Sequence, residues 1–425
     1  MPRERIVTGI DIGSSKVCTI IASVSSDSSI ERSPKVSIIG VSTVPSNGIR
    51  KGVVVDIDEA VESIAQSLEG AERMAGYAVS SAYISVDGKH ISSLNSHGVV
   101  AVANQEGEIT EGDVARVTEA AQAISIPSSR EIIHVIPCDF IVDNQGEIRD
   151  PVGMSGVRLE VETNIISGAT TVMRNLVKCV QQVGVGVSDL VFEGVASAES
   201  VLTDTEKELG TILIDVGGGT TSVIVFSGGS PVFAKVLPIG GRNITNDLAV
   251  GLRVGLEDAE EIKRRLSVED LFAADSSEKD AEEDDELDIS DLGLEQKTIS
   301  KKMARNIIEA RLQEIFKMVG KEIKSSELED KLPAGLVVTG GAAQTSGALK
   351  AAKRVLGYPV RLGEPRGVSG LIDEIGSPEY ASAVGLVLYG AYFAQSGGFM
   401  AGFAPGESIG GIIQRVISWI KGFLP

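Results

Sequence analysis

The sequence predicts an α/β fold made of two duplicated halves, and three observations carry that prediction. Ile10-Asp11-Ile12-Gly13 and Ile214-Asp215-Val216-Gly217 close two apolar, β-branched runs that lie 204 residues apart. Each is followed by small polar residues and a second apolar run, Val17 to Ala22 and Ser222 to Phe226, so each copy reads as a β-hairpin. A third element follows: the strand-like run Gly335 to Val338, the turn Thr339-Gly340-Gly341-Ala342, and a helix over Gln344 to Leu356.

The two hairpin turns are Gly13-Ser14-Ser15-Lys16 and Gly217-Gly218-Gly219-Thr220-Thr221. Glycine admits positive φ and lets another group approach the row of backbone N–H groups, so such turns can cradle phosphate oxygens. Asp11 and Asp215 sit on buried strands at the turn mouths. There a carboxylate serves chiefly to hold Mg²⁺ through water, because Mg²⁺ keeps most of its hydration shell. A helix N-terminus behind Gly340 and Gly341 is an anion or ribose site. One such copy alone reads equally as an ordinary Asp-Gly hairpin, whereas two copies and the third element together argue for a two-sided phosphate clamp. No G-x-x-x-x-G-K-[ST] sequence occurs, which excludes a P-loop on motif grounds.

Composition narrows the partners. The chain has 425 residues and 43% hydrophobic content, enough for two or more cores. Its net charge of −20 argues against nucleic acid, whose phosphates require a basic field. Asp275 to Asp291 holds ten carboxylates and one Lys, which predicts a disordered, solvated loop. The central Gly of an EF-hand is missing from it. Cys18, Cys138 and Cys179 lie far apart in apolar sequence and read as small buried residues in a reducing compartment. His90, His97 and His134 form no ligand spacing with them, so no zinc site is expected. The N-terminus lacks the apolar core of a secretory signal, which points to the cytoplasm. Tyr380 to Gly406 carries no charge, but Gly and Pro break its second part. It therefore reads as a buried helix over Ala381 to Ala394 and a Gly-rich linker, not as a membrane span.

Along the first half, Asp58 to Ala75 is a helix that stops before Gly76. An αβ insertion follows, with strands at His97 to Ala103, Glu131 to Val142 and Arg158 to Ile166, and a helix from Asp113 to Ile124 capped by Thr110. Nothing in the insertion looks catalytic. Thr170 to Val183 is amphipathic, and Val191 to Ala198 is a strand entering a small-residue helix that permits close crossing. The second half carries Gly240-Gly241 and helices over Ile244 to Leu252, Asp258 to Leu266 and Ile299 to Ser325. The expected domains are 1–84 with 167–200 and 357–395, an inserted subdomain at 85–166, a second domain at 201–356 with an acidic loop at 272–297, a linker at 396–406, and a helix at 407–425.

In that last helix, at about 100° per residue, Ile409, Ile412, Ile413, Val416, Ile417, Trp419, Ile420, Phe423 and Leu424 fill one half of the wheel. Polar and small residues, with Arg415 and Lys421, fill the other. Such a face docks either on the protein's own core or in a bilayer interface. The terminal position, the preceding Gly-rich linker, the chain's single Trp and the two basic residues favour the membrane. One tail binds reversibly because ordering it costs entropy; several on one polymer bind strongly.

With these motifs the chain resembles the actin-like ATPase superfamily and, within it, the FtsA family of bacterial cell-division proteins. The resemblance also rests on Ile136-Pro137, Pro151-Val152-Gly153-Met154, Gly156 and Arg158-Leu159-Glu160 in the insertion. It continues through Glu206-Lys207-Glu208-Leu209-Gly210, Pro238-Ile239-Gly240-Gly241, Ala259-Glu260 with Lys263, and Tyr380-Ala381 with Gly385-Leu386. It implies an actin-like, ribonuclease H-like duplicated two-domain fold whose inserted αβ subdomain replaces the usual actin subdomain. Gly13, Ser14, Ser15 and Lys16, and Gly217, Gly218, Gly219, Thr220 and Thr221, would hold the phosphates of ATP, with Asp11 and Asp215 placing Mg. Gly340, Gly341 and Ala342 would contact the adenosine, and Glu260 and Lys263 would line the nucleoside pocket. Gly241, Asn243 and Gln344 complete the implied nucleotide set.

The implied partners are the C-terminal peptide of the tubulin-like FtsZ, docked in the second domain beside the long helix, and further copies of the chain in an actin-like protofilament. Others are the inner face of the cytoplasmic membrane at the division site and further divisome proteins. Two departures stand out: Ser222 occupies a place where the family often has an acid, and the acidic loop is long and highly charged. No catalytic residue is identified, so ATP binding is expected with at most slow hydrolysis. An actin-like pilus-assembly protein and a small-molecule kinase remain as alternatives. The kinase needs a carboxylate base, and none is evident beyond the two aspartates. A chaperone of the Hsp70 type would need a peptide-binding domain after the ATPase region.

Overall fold

Two β-sheets carry the duplication. The computed structural model describes residues 5–25, 34–104, 106–273, 285–294, 296–329 and 332–395. In the first sheet the order is Gly186–Phe192, Ser81–Val86, Arg5–Ile12, Lys16–Ser25 and Lys35–Pro45, with Ser369–Gly370 at the edge. In the second, Val360–Leu362, Leu336–Thr339, Thr211–Val216, Thr221–Ser227 and Ser230–Leu237 repeat that order. Directions repeat as well. Each aspartate-bearing strand is parallel to its neighbour on one side and antiparallel to its hairpin partner on the other. Asp11 faces Cys18 and Asp215 faces Ser222 in equivalent registers. Strands covered on both faces must be apolar throughout, and every residue of Thr211–Val216 is buried.

The alternation of side chains along a strand decides which core each face enters. Ile212, Ile214, Val223 and Val225 share a core with Leu248, Leu312, Phe316 and Ala351. These come from helices Gly241–Leu252, Lys301–Ser325 and Ala348–Leu356. Leu213, Ile224 and Phe226 on the opposite face join the core of the first half. Between the sheets lie two helices. Ala381–Gln395 packs on strands Arg5–Ile12 and Lys16–Ser25, Glu193–Val201 packs on Thr211–Val216 and Thr221–Ser227, and the two helices cross against each other. At the crossing a Cβ on Gly385 would stand 1.7 Å from the Ala196 carbonyl oxygen. Ser200 Oγ donates to the Ala381 carbonyl at 2.6 Å and ties the helices together.

The inserted subdomain is joined to the half that does not contain it in sequence. Ser230–Leu237 pairs with Ser92–Ala101 at Lys235 and Ser92, and the second sheet runs on through Arg158–Ala169, Arg130–Val142 and Gln145–Ile148. Across this seam the Ala234 N–H donates to Ser93 Oγ at 2.8 Å, Asn164 Nδ2 to the Val232 carbonyl at 3.1 Å and Ser230 Oγ to the Pro137 carbonyl at 3.1 Å.

Several sequence expectations need correction. The acidic stretch is not wholly a solvated loop. Glu286–Asp288 pairs with Thr298–Ser300, and Leu287, Ile289 and Ile299 are buried beneath it. Asp285 accepts from Ser300 Oγ and the Lys302 N–H at the start of the long helix, and Asp291 pairs with Arg265 at 2.6 Å. A few apolar anchors and local donors therefore order the last part of the run; residues 274–284 lie outside the described residues. The long helix is Lys301–Ser325, since Ile299 belongs to the strand. Behind the third glycine turn the helix expected from Gln344 is divided. A 3₁₀ turn, Gly341–Gln344, ends at the extended Thr345, and Ala348–Leu356 begins after Gly347 at φ 76°.

Other elements form as their residue types dictate. Ile57–Ala75 is capped by Asp56 and ends at Gly76 in the left-handed region. Glu111–Gln122 has the Thr110 and Asp113 capping box. Burial pushes the Cys18 and Cys138 thiols up to about 12, so both stay protonated. The linker 396–406 and the amphipathic segment 407–425, with all nine of its named apolar residues, lie outside the described residues. Among the described residues no helix is long and apolar enough to cross a membrane.

Gly385→Ala should lower the unfolding free energy by about 3 kcal/mol, the upper end of overpacking costs, because the new methyl meets a backbone carbonyl. Equilibrium denaturation checks this, and a wild-type midpoint would show that the helix crossing has slack.

Candidate functional site: a cleft between two glycine turns

The acids of the site stand at the carboxyl ends of strands, where sheets of this kind leave a crevice for ligands. Asp11 is near the end of Arg5–Ile12 and Asp215 near the end of Thr211–Val216, while Asp87 follows Ser81–Val86 and Glu193 follows Gly186–Phe192. The two turns close identically, Gly13 N–H to the Lys16 carbonyl and Gly217 N–H to the Thr220 carbonyl, both at 3.0 Å. They face each other. A Cβ on Gly218 would lie 2.0 Å from Ser15 Oγ, and one on Gly219 would lie 2.8 Å from Ser14 Oγ. Turns from separate halves of the chain thus meet across one cleft. Gly340, at φ 88°, comes so close to Asp215 that a Cβ there would stand 2.2 Å from Oδ1.

Serines orient the two aspartates. Asp11 Oδ1 accepts from Ser85 Oγ at 2.7 Å and from Ser382 Oγ at 3.2 Å. Asp215 Oδ2 accepts from Ser197 Oγ at 2.6 Å. Ser222, the departure from the family's acid, has its Oγ 2.8 Å from Asp87 Oδ1 and 3.2 Å from Glu193 Oε2. A carboxylate at 222 would add another negative charge against these two, whereas a hydroxyl can donate to them.

The charge balance of the cleft is lopsided. Burial raises Asp11 above the usual carboxylate range, against the opposing bonds and charge of Ser85 and Lys16. Burial and then the charges of Asp11 and Asp87 push Asp215 up to about 7, although Ser197 works the other way. Glu193 is half-buried by accessible surface but walled by carboxylates. Desolvation, then Asp87, Asp215 and Asp11, drive it well above its ordinary value. The nearby cation is Lys16. Its Nζ is buried without a hydrogen bond, 3.2 Å from Glu379 Oε2 and 3.8 Å from the centre of the Tyr380 ring.

Beside the third glycine turn, the Gly241 N–H donates to the Gly217 carbonyl at 2.9 Å, and a Cβ on Gly241 would lie 3.0 Å from Ala342 Cβ and 3.9 Å from Lys263 Nζ. Lys263 pairs with Glu260 at 2.6 Å, and both bond Thr245 Oγ1. Burial opposes ionisation of Glu260, but Lys263 outweighs it and lowers the carboxyl. Gly13 to Lys16, Asp11, Asp215, Gly217 to Thr221, Gly241, Lys263, Gly340 and Ala342 are therefore neighbours around one cleft. Asn243 uses its side-chain oxygen to accept from the Gly240 N–H, a cap on its own helix, and Gln344 is exposed at the end of the 3₁₀ turn.

Two acids that the sequence reading did not identify, Asp87 and Glu193, stand beside Asp11 and Asp215. Their place directly after two apolar strand runs was the available signal. Ser85, Ser197 and Ser382 were also missed, since isolated serines carry no motif. A polyphosphate with a hydrated divalent cation suits this set: an unbonded ammonium, a glycine cradle and crowded carboxyl groups short of positive charge. Among the described residues no three His, Cys, Asp or Glu side chains converge to ligate one ion directly.

Duplicated sheets with facing glycine turns define the class of actin-like two-domain proteins. The fold is shared with the PilM-PilN type IV pilus biogenesis complex, with a TM-score of 0.61 over 91% of this chain and 98% of that chain at 15% identity. The family model for the SHS2 domain inserted in FTSA matches residues 88–167, and that for cell division protein FtsA matches residues 212–385. Cell division protein FtsA of Pseudomonas aeruginosa is 38% identical over 423 residues, covering 98% of each chain. That of Bacillus subtilis is 39% identical over 96% of this chain and 89% of its own. The chain belongs to the FtsA family of cell-division proteins.

Between 3.8, the ordinary value for Asp, and about 7, folded Asp215 holds a proton that the unfolded chain has released. Stability should therefore fall as pH rises through that window, with Glu193 and Asp11 acting in the same sense. Denaturant midpoints should be lower at pH 7.5 than at pH 5, and Asp215→Asn should flatten the decline. A slope identical in the variant would remove Asp215 as its source.

Proposed function

We propose that this cell-division protein binds MgATP in the cleft, polymerises as an actin-like protofilament, and tethers FtsZ to the inner face of the cytoplasmic membrane through residues 407–425. The observation that carries the nucleotide reading is the contact of the two glycine turns, Ser14 and Ser15 against Gly218 and Gly219. In this reading the backbone N–H groups of both turns and Lys16 hold the phosphates. Asp11 and Asp215, each oriented by serine, bind the water shell of Mg²⁺, whose charge would offset the crowding of the carboxyl groups. Gly340, Ala342, Gly241 and Lys263 border the adenosine.

Asp87, Glu193 and Ser222 are the groups placed to orient an attacking water. Burial and the neighbouring carboxylates oppose ionisation of Glu193, which supports slow turnover, with ATP acting mainly as a conformational and assembly ligand.

A groove of about 460 Å³ on the long helix, lined by Ser300, Lys302, Met303, Asn306, Ile307 and Ala310, supports peptide docking in the second domain. None of its lining residues belongs to the nucleotide loops. Met303 is 47% exposed there and offers an apolar anchor beside a basic side chain. Membrane attachment rests on the sequence pattern of 407–425, and localisation at the division site follows from the family and that attachment.

Gly218→Val should weaken binding of a fluorescent ATP analogue at least about tenfold, since a side chain there must displace Ser15; unchanged affinity would misplace the phosphate site. In vesicle flotation, the intact chain should carry a labelled FtsZ C-terminal peptide to anionic liposomes. Deleting 407–425 should abolish flotation with nucleotide affinity unchanged, while Met303→Asp should float without the peptide. Flotation of the deletion would reject the membrane role, and peptide carried by Met303→Asp would reject the groove.

A further inference from the structure

We infer that Glu379 tunes how tightly the cleft binds a nucleoside triphosphate, by competing with its phosphates for the Lys16 ammonium. This rests on the reading of Lys16 as a phosphate ligand and adds a residue from the far end of the chain to that site. Glu379 lies in the turn Pro378–Tyr380, and its Oε2 is 3.2 Å from Lys16 Nζ. The Nζ stands at ion-pair distance from this carboxylate but makes no well-aligned hydrogen bond among the described residues. A phosphate oxygen aligned with its N–H donors is therefore a better acceptor for this ammonium than Glu379 is.

Competition, rather than shared binding, follows from how the turn is held. The Pro378 carbonyl accepts from the Gly340 N–H at 3.2 Å and from Thr339 Oγ1 at 3.3 Å. On its other side Ser382 bonds Asp11, and the Ala381 carbonyl accepts from Ser200 Oγ. The Glu379 backbone is thus tied to the third glycine turn and to the central helices, and cannot follow Lys16 toward the first turn. Glu379 Cβ would also lie 3.6 Å from a Cβ on Gly341, so the residue borders the third turn as well as Lys16, and Ser377 Oγ donates to its Oε1 at 3.3 Å. Tyr380 stacks on the same ammonium at 3.8 Å and keeps it favourable there without a carboxylate. Neutralising Glu379 therefore removes a repulsion toward phosphate and a rival for Lys16 without leaving Lys16 unsupported.

The side chains of Lys16 and Glu379 are 20% and 39% exposed, so water screens the pair and the effect is moderate. Titration of the full-length protein with a fluorescent ATP analogue and Mg²⁺ tests this directly. Glu379→Gln should bind about two- to fivefold more tightly, Glu379→Asp should fall between Glu379→Gln and wild type, and Lys16→Met should bind more weakly. In the Lys16→Met background, Glu379→Gln should change little, which separates competition for the ammonium from a general field effect. Circular dichroism and melting curves establish that each variant is folded. If Glu379→Gln binds equally or less tightly while Lys16→Met is weakened, the inference fails and Lys16 remains a phosphate ligand. If Lys16→Met binds as wild type, the reading of Lys16 fails and the inference with it.

Discussion

The crossing of Glu193–Val201 and Ala381–Gln395 is the constraint on which the cleft depends. These helices fill the space between the two sheets, and only a residue without a Cβ fits where Gly385 meets the Ala196 carbonyl. Their closeness brings the strand ends of separate halves within reach of each other. The same helices supply Ser382 for Asp11 and Ser197 for Asp215, with Ser200 joining one helix to the other. Packing at the centre and orientation of the acids are therefore a single arrangement. A shift at the crossing would move both aspartates relative to one another.

Against that frame, the cleft holds a poor charge balance for a folded protein. Asp11, Asp87, Glu193 and Asp215 crowd together near Lys16, and burial raises the carboxyl groups it most encloses. Such crowding costs stability and collects at functional sites because a ligand's charge can relieve it. Lys16 is itself divided between Glu379, the Tyr380 ring and the open side of the first turn. The network contrasts with the Glu260–Lys263–Thr245 group, whose members satisfy one another.

The second sheet extends through the inserted subdomain, so a segment encoded within the first half is hydrogen-bonded to the second. Strand Ser230–Leu237 is the shared element. It forms a ladder with Thr221–Ser227, which begins at the second glycine turn, and meets Ser92–Ala101 on its other edge. The Ser93, Asn164 and Ser230 side chains close the seam where only one residue pair aligns.

Much of this architecture was legible in the residues. Both Asp-Gly hairpins, the insertion between them, the third glycine turn and the buried character of Ala381 to Ala391 were readable, because β-branched runs, glycine turns and helical periodicity are local properties. Local reasoning failed where distant partners decide. Leu287, Ile289 and Ile299 order part of an acidic run that charge alone predicts to be solvated, and extended Thr345 with left-handed Gly347 divides the helix expected at Gln344. Asp87, Glu193, Ser197, Ser382 and Glu379 carry no motif and become site residues only through folding. The sequence by itself determined that two similar glycine turns exist and what chemistry they suit. Only the tertiary structure decided that they face each other, which acids stand between them and which sheet the insertion joins, because those relations arise from packing between segments hundreds of residues apart.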